Sequence, residues 1–200
     1  IIFRSFQLSF GATLLCLIFG FPVAYYITLQ PENRRNFYIY LVTIPFWTNL
    51  LIRTFAWIII LGRGGVIEAP LLATGIIDDS LRMMYTDGAI AIGLTYSYLP
   101  LMVLPIYASL EKLDFRLLDA ASDLYANRFE IMTKVVIPLC KPGIIAGCIL
   151  VFIPCLGAFI APNLLGGGKK LMLGSLVQFQ FASARNWPFG GALSMLLLSV

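Results

Sequence analysis

The sequence contains no histidine, so the side chain that most often serves as general base, proton relay or metal ligand near neutral pH is missing. Charge is scarce too: Asp, Glu, Lys and Arg make up 12% of the residues. The net charge of +4 is spread over short links, which leaves no footprint for nucleic acid and only a mild attraction to anionic headgroups. Cys16, Cys140, Cys148 and Cys155 have no ligand-type spacing. Cys148 and Cys155 lie on one helix face, as packing residues do, and no metal site is expected. No GxxxxGK[ST] loop occurs; Gly166-Gly167-Gly168-Lys169-Lys170 has the wrong spacing and no strand before it, so it reads as a turn. If ATP drives this protein, another polypeptide hydrolyses it.

What the sequence has in abundance is apolar surface. Hydrophobic residues make up 60% and mean hydropathy is +0.89, more than a water-soluble domain of this size could cover. An all-α, polytopic membrane helix bundle is expected, because in hydrocarbon each backbone polar group must be satisfied within its own helix. Residues 8–29, 37–61, 88–110 and 143–162 read as spans and Trp187-Pro188 opens another, which gives about five spans in a single domain, 1–200, with trimmed ends. A short link occupies residues 31–36, a long polar insert residues 111–141, and outer links occupy 62–87 and 163–187. Residues 31–36 and 111–141 together hold seven Lys/Arg against five in the outer links, so the positive-inside rule puts the first pair on the cytoplasmic side, with Arg34 and Arg35 as the clearest markers.

Arg53 falls about two thirds of the way along the second span, where a charge facing lipid costs roughly 2.5–3.5 kcal/mol. Pro45, Asn49, Arg53 and Trp57 follow at i+4 and would form one stripe toward the bundle interior. Arg53 either snorkels to the outer headgroups, pairs with a loop acid such as Asp87, or serves the pathway. Asn49 and Arg53, with Trp47, Tyr96 and Phe152, are the candidate pathway or gating residues. In the first outer link, residues 66–77 are too short to span and are expected in the interface, followed by an acidic turn at Asp78 and Asp79. Gly143 and Gly147 form a GxxxG pair suited to close helix approach, within the bundle or to a second subunit.

Within the insert, Asp114 can cap a helix in which Leu117, Ala121 and Leu124 recur at i, i+4 and i+7, widened by Leu118 and Tyr125. One face is apolar and the other charged, as in a docking element or a connector lying on headgroups. The order Asp119-Ala120-Ala121, Tyr125, Ile137-Pro138 and Pro142-Gly143-Ile144 resembles the EAA loop of ABC-importer permeases. That resemblance implies the type I importer permease fold and a coupling helix seated in a groove of an ABC ATPase dimer. The coupling residues would be Asp119, Ala120, Ala121, Leu124, Tyr125, Pro138, Pro142 and Gly143. No cofactor would be held by this chain, since ATP and Mg would be bound by the partner ATPase. Asp119 stands where the pattern has Glu, and Tyr125 where it has Gly, which moves the expected turn toward Asn127.

The runs PFWTNLLIRTFAW, SYLPLMVLPIYASLEKLD, IIAGC, LLGGGKKLMLGSLVQFQF and RNWPFG are similar to the membrane subunits of spermidine/putrescine ABC importers. The resemblance implies a permease subunit of a prokaryotic inner membrane that works by alternating access. Its implied partners are the ATPase dimer, a second homologous permease subunit, an extracytoplasmic substrate-binding protein, a polyamine substrate and the lipid bilayer. The alternatives are an ABC permease for another small solute, or a channel or secondary carrier without an ATPase. Against the carrier, the complete spans contain no Asp, Glu or His of the kind proton coupling uses.

Overall fold

The computed structural model describes residues 1–200 except 63, 67, 70–83, 115, 124, 169 and 200. In chain order the helices are α1 (Ile2–Thr28), α2 (Glu32–Trp47), α3 (Leu50–Leu61), α4 (Asp87–Leu110) and α5 (Arg116–Asp123). Then come α6 (Arg128–Ile131), a π-helical turn (Met132–Val136) running into α7 (Ile137–Leu139), and α8 (Lys141–Gly157). The last are α9 (Ile160–Leu165), α10 (Leu173–Ala182) and α11 (Trp187–Leu198). The fold is all-α, with no strand among the described residues. Apolar helices can afford hydroxyls because these bond back to their own backbone: Thr13 donates to Ser9 O at 2.7 Å, Thr28 to Ala24 O at 2.9 Å and Thr95 to Ala91 O at 2.7 Å.

By length and composition α1 and α4 can each cross a membrane, and the described residues offer up to 4 spans if two bent helix pairs count as one span each. The expected fifth is α11, an apolar helix of 12 residues. Three expectations change. The second span is not one helix: α2 ends at Trp47 and Asn49 caps α3, its side chain accepting from Leu51 N at 2.8 Å. The stripe Pro45, Asn49, Arg53, Trp57 is therefore split between two helices. The fourth span stops at Gly157, and Pro162 belongs to the separate helix α9. The second outer link is largely helical, through α9 and α10. The interfacial reading of 66–77 and the acidic turn at Asp78 and Asp79 lie mostly or wholly outside the described residues.

The chain divides into two compact units. One contains Ile1–Leu14, Trp47–Ser97 and Phe152–Val200. In it α9 packs on α3 and α11 on α10, around fully buried Ile90, Leu94, Leu165, Met172 and Leu173. Gly174 lies directly against the Gly157 carbonyl, an approach that any side chain would block. The buried Ser5 hydroxyl accepts from Leu173 N at 2.8 Å, which ties the first turn of α1 to the start of α10. The Gly166–Gly168 turn has φ of +63° and +69° at Gly167 and Gly168, as its composition predicted.

The other unit contains Leu15–Phe46 and Tyr98–Val151. The GxxxG pair works here: Gly143 lies against the Ser109 hydroxyl and the Pro105 carbonyl, and Gly147 against Met102, so α8 closes onto α4 with no side chain of its own at these two positions. Cys16, Cys140, Ile106, Leu110 and Val151 are buried in this unit. By contrast α2 buries none of its residues; Phe37, Tyr40, Leu41 and Ile44 are exposed, the surface that lipid or another subunit would cover.

Candidate functional site

The polar insert is built from its base upward. Glu111 follows directly on α4 and accepts from the Tyr107 hydroxyl at 2.8 Å, while Arg35 Nη1 lies 3.7 Å from it. Arg35 also donates to Thr28 O at 3.1 Å. The arginine read from sequence only as a marker of sidedness thus fastens the end of α1 and the exit of α4. The i, i+4 spacing of Tyr107 and Glu111 was the available signal for half of this arrangement.

Asp114 then caps α5 as expected, accepting from Arg116 N at 3.0 Å. No residue of α5 is buried: Asp119 and Ala120 are exposed, Ala121 half-buried and Leu117 47% exposed. Leu124 lies outside the described residues. A helix with acids and bases on one side and bare apolar side chains on the other is incomplete alone, and its two adjacent alanines let a partner's backbone come close. Beneath it a concavity of about 440 Å³ is lined by Lys112, Leu113, Asp114, Leu117, Leu139 and Pro142, among others.

The helix ends where the family pattern places glycine. Tyr125 has φ of +59°, Ala126 N bonds to Ala121 O at 3.2 Å and Tyr125 N to Ser122 O at 3.0 Å, the paired bonds of a Schellman end. The expectation that the turn moves to Asn127 is corrected: Tyr125 makes it, at about 1–2 kcal/mol relative to glycine. Asn127 instead caps α6 in a capping box with Glu130. The Lys134 ammonium at 2.9 Å, then the Asn127 N–H, hold the Glu130 carboxyl below the usual glutamate range. The tip presents Tyr125 at 97% and Phe129 at 75% exposure. Pro138 and Pro142 sit exposed, Pro138 just past the π-helical turn and Pro142 in the first turn of α8, where a missing N–H costs little. Gly143 is spent on the contact with α4.

The pathway candidates separate. Arg53 is 8% exposed and donates to Ser97 O at a long 3.4 Å. It neither snorkels nor pairs with Asp87, whose carboxylate is taken by Arg4 and by Lys170, the latter at 3.0 Å. Its helical neighbour Trp57, half-buried, meets Tyr96 edge-on at 5.5 Å; Arg53 and Ser97 are buried, whereas Tyr96 is 40% exposed. Phe152 packs instead on Phe6, 5.9 Å away. Trp47 is 84% exposed at the end of α2, and Asn49 is a helix cap.

Residues 17–200 match the family described as binding-protein-dependent transport system inner membrane component. The chain is 43% identical over 200 residues to the spermidine/putrescine transport system permease protein PotB of Escherichia coli strain K12, covering 100% of this chain and 73% of that protein. It is 43% identical over 195 residues to PotB of Haemophilus influenzae, covering 98% of this chain and 68% of the other. Among solved structures, a chain of a bacterial alginate ABC transporter in complex with an alginate pentasaccharide-bound periplasmic protein superposes with a TM-score of 0.68 at 15% identity. That match covers 97% of this chain and 72% of that one, and it is a likeness of fold.

Proposed function

The chain belongs to the family of binding-protein-dependent transport system inner membrane components, and from that premise we propose that it is the polyamine permease subunit of an ATP-driven importer. The family makes it a multi-pass inner-membrane transport subunit. The observation that carries the substrate, spermidine and putrescine, is the 43% identity along the whole chain to PotB.

In this reading α5 seats in a groove of an ABC ATPase dimer that holds ATP and Mg. Asp119, Ala120, Ala121, Leu124 and Tyr125 make the contact. Pro138, Pro142 and Gly143 relay its movement, because the approach of α8 to α4 leaves no slack between them. That no described α5 residue is buried supports that role. A second homologous permease covers the apolar flank, and an extracytoplasmic binding protein delivers substrate to the outer links. Arg53 gates the path, with Tyr96 beside it and Asn49, Trp47 and Phe152 along the walls. Its burial supports this, since an intramembrane charge is retained where it acts. ATP hydrolysis by the reconstituted complex, measured across a panel of small cations and neutral solutes, tests the substrate. Stimulation by spermidine and putrescine supports it, and stimulation only by an unrelated solute overturns it. Arg53→Gln should impair uptake while the complex still assembles; normal uptake removes Arg53 from the path.

A further inference from the structure

Glu68 is a carboxylate completed on one side only. It follows the glycine turn after α3, in which Gly65 N bonds to Gly62 O at 2.9 Å and Gly64 takes φ of +68°. That left-handed glycine aims its N–H at Glu68 Oε2, 2.6 Å away. The residue is 4% exposed, and its other oxygen, Oε1, is buried with no hydrogen-bond partner among the described residues. Neither protonation state resolves this: the ionised form leaves a buried acceptor unmet and the neutral form a buried hydroxyl unmet. The group is satisfied only when a donor arrives.

A polycation crossing this chain needs an anionic partner, and few are open. The complete spans read from the sequence carry no acid. Asp87, in the same outer link, is already shared by Arg4 and Lys170. Resting on the polyamine reading above, we propose that Glu68 Oε1 is the seat for a primary ammonium group of the substrate. The Gly64 N–H fixes the first oxygen, so the second is oriented before the ligand binds. An ammonium brings three donors and a full charge to an acceptor shielded from water, where a charge-assisted bond is strongest. The competing occupant is internal: Arg53 belongs to the same unit, and its Nε is also buried without a hydrogen-bond partner among the described residues.

The test uses the complete complex, with ATPase, second permease and binding protein, in proteoliposomes. Labelled putrescine and a carbodiimide are added to the wild type. The carbodiimide activates a carboxyl group, the amine displaces it to form an amide, and the reagent leaves as a urea, having taken up the oxygen. An amide on Glu68, suppressed by excess spermidine, is expected. Its absence from Glu68 in a complex that imports spermidine overturns the proposal. Glu68→Gln keeps an acceptor for the Gly64 N–H and puts an amide NH2, a donor without charge, in the place of Oε1, so uptake from saturated binding protein should fall at least tenfold. Uptake at the wild-type rate overturns the seat, as does a loss that Arg53→Gln cancels, which would mark an internal pair. If Glu68→Gln does not assemble, the wild-type coupling decides. A wild-type complex that imports no spermidine sinks the polyamine reading instead, while putrescine coupling at Glu68 would still uphold the seat.

Discussion

Helix α4 is held at each end by a carboxylate, and the two ends are built differently. At its first residue Asp87 binds the guanidinium of Arg4 and the ammonium of Lys170, joining segments 83 residues away in either direction. At its exit Glu111 takes the neutral Tyr107 hydroxyl and faces Arg35 at 3.7 Å. Removing Asp87 would leave two cations facing each other. Removing Glu111 would leave Arg35 still bonded to Thr28 O. The Asp87 end is therefore a closure that depends on one charge, whereas the Glu111 end tolerates rearrangement, as suits the place from which the insert departs.

Four single substitutions, and a fifth added to one of them, break or sharpen this contrast. Gly143→Leu should be the most damaging, since it forces a side chain into the Ser109 hydroxyl and the Pro105 carbonyl between the two ends. Backbone cannot change rotamer, so a loss of about 3 kcal/mol is expected, read as a fall in the melting temperature of the purified complex. Asp87→Asn should cost about 1 kcal/mol at low ionic strength and less in high salt, because the group is half exposed and screened. Adding Lys170→Gln should restore part of that loss in the same assay. Tyr125→Gly should move stability the other way, by about 1 kcal/mol, by relieving the left-handed residue. If the ring contacts the ATPase, the same variant should hold that subunit less tightly, as pull-down would report. Glu111→Gln should be the mildest, at about 0.5 kcal/mol or less; a loss equal to that of Asp87→Asn would erase the difference between the ends.

Much of this was legible in the sequence because the signals are local or strongly periodic. The end of α1, the length of α4, the Asp114 cap, the Gly166–Gly168 turn, the helix opening at Trp187-Pro188 and the GxxxG approach all depend on neighbouring residues or on one helix face, whereas α1 begins at Ile2, six residues before the span read from the sequence. The break at Asn49 was hidden because PFWTNLLIRTFAW stays apolar across it and Asn49 acts through a single cap bond. Helix α10 was read as link because it lies between glycine and proline signals, yet the burial of Leu173, Gly174 and Ser175 holds it in place. Tyr125 misled for a different reason. Its side chain argues against φ of +59°, but the two bonds closing α5 outweigh that preference. The Asp87 cluster, the approach of Arg35 to Glu111 and the half-satisfied Glu68 are tertiary features that no spacing rule encodes; only the Tyr107–Glu111 pair, at i, i+4, is local.

The account turns on whether α5 is the part that an ATPase grips. The most direct measurement is the amount of ATPase subunit recovered with the purified complex, and its spermidine-stimulated hydrolysis, when Ala120 and Ala121 are both replaced by Trp. The predicted result is that the chain stays in the membrane while the ATPase is lost and stimulation disappears. Recovery of the ATPase in wild-type amount, with spermidine uptake intact, would contradict it.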